Sequence, residues 1–160
     1  MSRKRIEIHF LRALLSLSIS LVPFVLSNPP RKKWLFIYVY NAISNMAIDT
    51  VLTRRGTLSY PIRLFPKIFK IHILFDVLLY PLTTMIYLQA TQKDKLIQLI
   101  RKLLYFAIPL TVFETWAQRN TNLIKWGNGW RGYHTFIGVS LKSLFARVVV
   151  VRFYNRIFKM

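Results

Sequence analysis

No cysteine occurs among the 160 residues of this chain, which excludes disulfides, thiolate metal sites and cysteine nucleophiles and leaves the compartment open. Acid is nearly as scarce: five Asp plus Glu stand against 24 Lys plus Arg, a formal net charge of +19. No serine lies in a GxSxG setting and no HExxH or paired-glutamate motif is present, so the common serine-hydrolase and zinc-protease signatures are missing. The positive charge comes without an RNA-recognition, zinc-finger or helix-turn-helix pattern, and no nucleic-acid partner is expected. Low-complexity tracts and a second domain are absent too.

What fills the chain is apolar sequence in blocks. Hydrophobic residues make up 54% and aromatics 15%, and the cations collect in short gaps between runs of membrane-spanning length. Five spans are expected, at 10–27, 34–52, 71–89, 99–117 and 133–151. The fold class is therefore all-α, a polytopic membrane helix bundle forming one integral domain over 1–160. Pro81 and Pro109 fall inside the third and fourth spans, where neighbours can satisfy the freed carbonyls, and both are expected to mark kinks. The first run follows SRKR and admits a second reading as a signal peptide cut near VLS at 25–27. Arg12 inside it, and Pro29 and Pro30 just beyond, argue for a retained anchor.

An excess of cations at span ends points to anionic phospholipids as partners, each Lys or Arg near the surface contributing roughly 1 kcal/mol. The segment YPIRLFPKIFK alternates Ile62, Phe65, Ile68 and Phe69 with Arg63, Lys67 and Lys70 and reads as a piece lying along the headgroups. Trp34, Trp116, Trp126 and Trp130 all fall near span ends, as an aromatic belt requires. The loop LIKWGNGWRGYH is read as belt anchoring around glycine turns, with a binding loop as the alternative. Antiparallel spans place the N-terminus and the 53–70 and 118–132 loops on one side, here called X, which carries 11 Lys plus Arg outside the spans. The opposite side, Y, carries eight, or ten with Arg101 and Lys102. That bias favours X, and with it the N-terminus, in the cytoplasm.

NPP at 28–30, YPIRLFPKIFK at 60–70, ILFDVLLYP at 73–81, FETW at 113–116 and LIKWGNGWRGYHTF at 123–136 resemble an uncharacterised family of small membrane proteins from endospore-forming Gram-positive bacteria. The resemblance covers most of the chain from residue 28 onward; residues 1–27 lie outside it. It implies a bacterial cell-membrane location and supplies no catalytic residues.

Three of the five acids, Asp49, Asp76 and Glu114, lie inside expected spans, leaving Glu7 and Asp94 for ordinary surface positions. Ionisable groups at bilayer depth are rare and point to function by default. Counted from their X ends, the three acids form a layer about 5–8 Å deep at about 1.5 Å per residue. Arg12 and His134 open spans one and five on the same side, His72 sits one turn before Asp76, and Lys142 leans toward X. Lys142 is the favoured counter-ion for Asp76. Asn41, Asn45 and Asp49, spaced by four, make a polar stripe on span two, mirrored on span one by Arg12, Ser16 and Ser20.

Three functions fit this layer. In the reading adopted from sequence, Asp49, Asp76 and Glu114 pair with Arg12, Lys142 and Arg147 to lock the bundle of a small bacterial membrane protein with a structural, assembly or stress- and sporulation-linked role, alone, as a homo-oligomer or beside other membrane proteins. The alternative is an oligomeric proton or cation transporter or channel component. The third is a metal-dependent membrane hydrolase using His72, Asp76, Glu114 and His134, types that suit zinc although the His-x-x-x-Asp spacing recurs by chance. Enzymatic activity and a cofactor are not expected.

Overall fold

The structure, a computed structural model, describes residues 3–158; the side chains of 149–151, 155, 157 and 158 lie outside that description, as does Lys159, counted above on side Y. Three helices are long and apolar enough to cross a membrane: α1 (Arg3–Leu26), α2 (Arg31–Arg54) and α4 (Leu96–Asn120). Each exceeds the about 20 residues that a hydrocarbon core of about 30 Å requires. The other two expected spans are built differently. The third is a six-residue π-helical turn, Leu74–Leu79, running into the 11-residue α3 (Tyr80–Ala90). The fifth is divided into α5 (Gly132–Phe145), a π turn at Ala146–Val150 and α6 (Val151–Phe158).

Pro81 accounts for the turn before α3. It has no N–H to give, and the Tyr80 N–H reaches back five residues to the Phe75 carbonyl, so the Asp76 and Val77 carbonyls lose their usual partners. Side chains of α2 replace them: Asn45 donates to the Asp76 carbonyl at 3.1 Å and Tyr38 to that of Val77 at 2.6 Å. Proline thus bonds the turn to α2 and fixes where Asp76 faces. At Pro109, by contrast, α4 runs on as one helix.

The buried residues of α2 are Trp34, Ile37, Asn41, Ala42, Asn45 and Asp49. The polar stripe therefore continues back to Trp34 at helical spacing. Trp34 consequently lies at 0% exposure in an apolar core with Val25, Ile37, Leu82, Met85 and Leu88, which corrects its assignment to the headgroup belt. On α1 the buried positions are Glu7, Leu11, Ser18 and Val25. Arg12, about 100° round from Leu11 on the helix, is exposed and outside the buried cluster, a second correction.

The ends of the bundle are tied as alternating helices require. At X, β1 (Leu58–Ser59) pairs antiparallel with β2 (Lys125–Trp126), joining the two long loops. Gly127 approaches Gly56 so closely that a Cβ at Gly127 would lie 2.5 Å from the Gly56 carbonyl oxygen. Glu7, expected at the surface, is buried; it accepts from the Asn122 N–H at 3.2 Å and pairs with Arg3 at 3.7 Å. Arg3 also donates to the Asn120 carbonyl. At Y, Gln89 donates to the Val25 carbonyl and accepts from Asn28, and Lys102 pairs with Asp94 at 2.8 Å. Arg147 donates to the Thr91 and Gln92 carbonyls, both at 2.9 Å, at this end and away from the acids it was expected to pair.

The 60–70 segment is irregular rather than helical. Arg63 turns inward and donates to the carbonyls of Tyr60, Pro66 and Phe69, so it holds the loop together instead of facing outward. Lys67, Lys70, Phe65 and Ile68 remain exposed, mixing cations with apolar surface.

Candidate functional site

Asp49 near the end of α2, Asp76 in the π turn, Glu114 near the end of α4 and Lys142 of α5 line one cavity of about 200 Å³. The structure therefore brings together these residues singled out from sequence, but the acids are held in two different ways.

Glu114 is saturated. Its Oε1 accepts from Thr135 Oγ1 at 2.9 Å and Trp126 Nε1 at 3.2 Å, and its Oε2 accepts from the Tyr80 hydroxyl at 3.0 Å. Three donors from three parts of the chain converge on one buried carboxyl group, which satisfies it without any cation. Trp126 and Trp130 belong here and not to an aromatic belt, because their indole N–H groups turn inward: Trp130 Nε1 donates to Thr135 Oγ1 at 3.1 Å. The loop expected to anchor at the surface thus forms part of the site. Trp116 is exposed, as a belt residue would be.

Asp49 and Asp76 are under-satisfied. Asp49 Oδ1 accepts from the Tyr60 hydroxyl at 2.7 Å, and Tyr60 stays a donor because burial and the nearby carboxyl groups push its phenol well above the usual range. Asp49 Oδ2 and Asp76 Oδ2 are buried with no hydrogen-bond donor. The two carboxyl groups line the same cavity, where a proton, a bound cation or a water molecule would supply what both oxygens lack. Lys142 Nζ is buried on the same cavity, also without a hydrogen-bond partner. Among the described residues the ion pairs are Arg3–Glu7 and Lys102–Asp94. Lys142 faces Asp76 without closing the expected pair onto it.

The other candidates surround this centre. His134 lines the cavity, but its Nδ1 accepts from the Arg131 N–H at 3.0 Å at the start of α5, and its ring stacks on Trp130. His72 is buried between the rings of Tyr60 and Phe75, its Nε2 without a partner. Asn41 donates to the Ile37 carbonyl one turn back. Among the described residues no three His, Asp or Glu side chains converge to hold a metal ion, so the His72, Asp76, Glu114 and His134 set does not form a metal centre.

A second cavity of about 240 Å³ lies toward α1, lined by Phe10, Leu14, Phe75, Leu79 and Phe113, and it shares Tyr60, Tyr80 and Glu114 with the first. The sequence reading missed Tyr60, Tyr80 and Thr135. Their hydroxyls count as apolar or neutral in a hydropathy scan, and the available signal was Tyr80 directly before Pro81.

Fold and site define a helical protein with three membrane-length apolar helices and a cavity that carries carboxyl groups from α2, the π turn and α4. Compared with protein-family models, with curated proteins and with solved structures, the chain matches none.

Proposed function

We propose that this chain is a multi-pass bacterial membrane protein that binds and exchanges a proton, or a small cation in its place, at the Asp49–Asp76 pair, and so acts as a component of a proton or cation transport system. The membrane part of the reading is supported by an inside-out distribution of polarity. Asn41, Asp49, His72, Asp76 and Glu114 are buried, while Phe24 of α1 is 74% exposed, Ile43 of α2 62%, Val112 of α4 61% and Leu141 of α5 62%. Apolar surface on that many helices is a liability in water and the normal state against lipid. Five passes, anionic phospholipids around Lys67 and Lys70, and an oligomeric assembly complete the picture.

The observation that carries the exchange reading is the pair of donorless carboxyl oxygens on a chamber where Lys142 leaves them unneutralised. A static lock would have closed Lys142 onto Asp76. Glu114, which takes hydrogen bonds from three elements, supports a structural role for that acid alone.

Asp76→Asn tests the reading. If Asp76 were locked to Lys142, the variant would strand a buried charge at a cost of about 3–5 kcal/mol and the protein would be depleted. The expected outcome is a protein that accumulates at wild-type level or better, since an ionisable group inside a span carries an insertion cost, which reaches roughly 2.5–3.5 kcal/mol at the helix centre. It should lose the carboxylic-acid carbonyl band from pH-difference infrared spectra and lose cation or proton flux in proteoliposomes. A depleted Asp76→Asn protein rescued by adding Lys142→Met returns the site to the lock.

A further inference from the structure

Besides the acid pair, the chamber holds a second charged end. Lys142 Nζ, buried with no hydrogen-bond partner, requires an acceptor, whereas Asp49 Oδ2 and Asp76 Oδ2 require a donor or cation. The same lining includes the apolar side chains of Phe106, Leu110 and Val139. A volume of about 200 Å³, below the roughly 300–1,000 Å³ of drug-sized pockets, suits an occupant the size of a small metabolite. A proton on the acids serves one end and leaves the ammonium unserved.

Resting on the exchange reading above, we infer that the chamber binds a small zwitterion with an apolar body, of the α-amino-acid class, its ammonium group at Asp49 and Asp76 and its carboxylate at Lys142. Both ends of such a ligand replace hydration with charge-assisted hydrogen bonds, and its apolar portion lies against the wall between α4 and α5. A molecule bearing one of the two charges leaves the other end of the chamber unpaired. Recognition is thus of the two groups together.

Leucine, isopentylamine and 4-methylpentanoate share one carbon body and differ in carrying both charges, the amine alone or the carboxylate alone. The test is equilibrium binding of all three to the purified full-length protein in detergent. The expected result is leucine bound at least tenfold more tightly than either partial ligand. Lys142→Met and Lys142→Gln should remove that advantage and retain isopentylamine binding, which also reports that the variant is folded. If isopentylamine matches leucine, the site is for cations only and the inference fails; if 4-methylpentanoate matches it, the site is for anions only and the inference fails as well. The wild-type comparison decides these outcomes even if both variants misfold. No binding of any of the three, with the infrared signature of Asp76 intact, overturns the zwitterion and leaves proton exchange standing, whereas loss of both overturns both.

Discussion

At the scale of single residues, three buried acids of one layer separate by what touches them. Glu114 has a hydroxyl, an indole and a phenol aimed at its two oxygens, whereas Asp49 and Asp76, on the same cavity, each keep one oxygen without a donor. Replacing Glu114 with leucine strands three donors, each costing about 1–3 kcal/mol when buried without an acceptor. We expect Glu114→Leu to destabilise the protein by about 3 kcal/mol or more, and Glu114→Gln, which keeps one acceptor oxygen, by less than half as much, measured by thermal unfolding in detergent. A Glu114→Leu protein as stable as wild type would remove this residue from the framework. The acids themselves were legible because a charge inside an apolar run is conspicuous. Their hydrogen-bond partners were not, since Tyr, Trp and Thr carry a polar tip on a side chain that hydropathy treats as ordinary. Arg12 was misplaced for a related reason: the buried stripe of α1 passes through Glu7, Leu11, Ser18 and Val25, and position along a span does not reveal the face.

At the scale of elements, the decisive one is the turn made by Pro81. The proline was read as a kink in a long helix; the structure shows a π turn and a shorter α3, with α2 supplying the missing hydrogen bonds. Removing the hydroxyl with Tyr38→Phe orphans the Val77 carbonyl and should cost about 1–3 kcal/mol. Pro81→Ala restores an N–H four residues beyond Val77. In the Tyr38→Phe background it should therefore recover part of the loss, whereas alone it disturbs a satisfied turn, giving a coupling between the two sites of roughly 0.5–3 kcal/mol in a double-mutant cycle. Additive effects would mean that the Tyr38 bond does not substitute for the one Pro81 lacks. The stripe on α2 shows how much an element can disclose: Asn41, Asn45 and Asp49 at a spacing of four were assigned to one face, and the same face extended backwards reaches Ile37 and Trp34. Following the period would have placed Trp34 in the core, where proximity to a span end suggested a belt.

At the scale of the whole molecule, the alternation of helices predicted from run lengths brings the expected loops together. Asn128 donates to the Arg55 carbonyl at 2.6 Å, the Gly127 N–H to the Thr57 carbonyl and the Ile62 N–H to the Asn122 carbonyl, so the 53–70 and 118–132 loops share end X. The N-terminal turn of α1 reaches Asn120 and Asn122 at the same end. Antiparallel order was readable because apolar runs of spanning length admit little else, whereas the contacts between loops depend on Gly56, Gly127 and the two short strands, which no periodicity announces. Which end faces the cytoplasm rests on 11 cations at X against eight at Y. Single cysteines test this without interference, since the chain contains none. Ser59 in β1 and Lys93 between α3 and α4 are both exposed at opposite ends, whereas Thr91, the other natural choice at Y, is fully buried. With X cytoplasmic, a membrane-impermeant maleimide added to intact cells should label Lys93→Cys and leave Ser59→Cys unreacted until the membrane is permeabilised. Labelling of Ser59→Cys with protection of Lys93→Cys reverses the orientation, and labelling of both from outside would show that the two loops are not separated by a membrane, which removes the multi-pass reading on which the proton-exchange proposal stands.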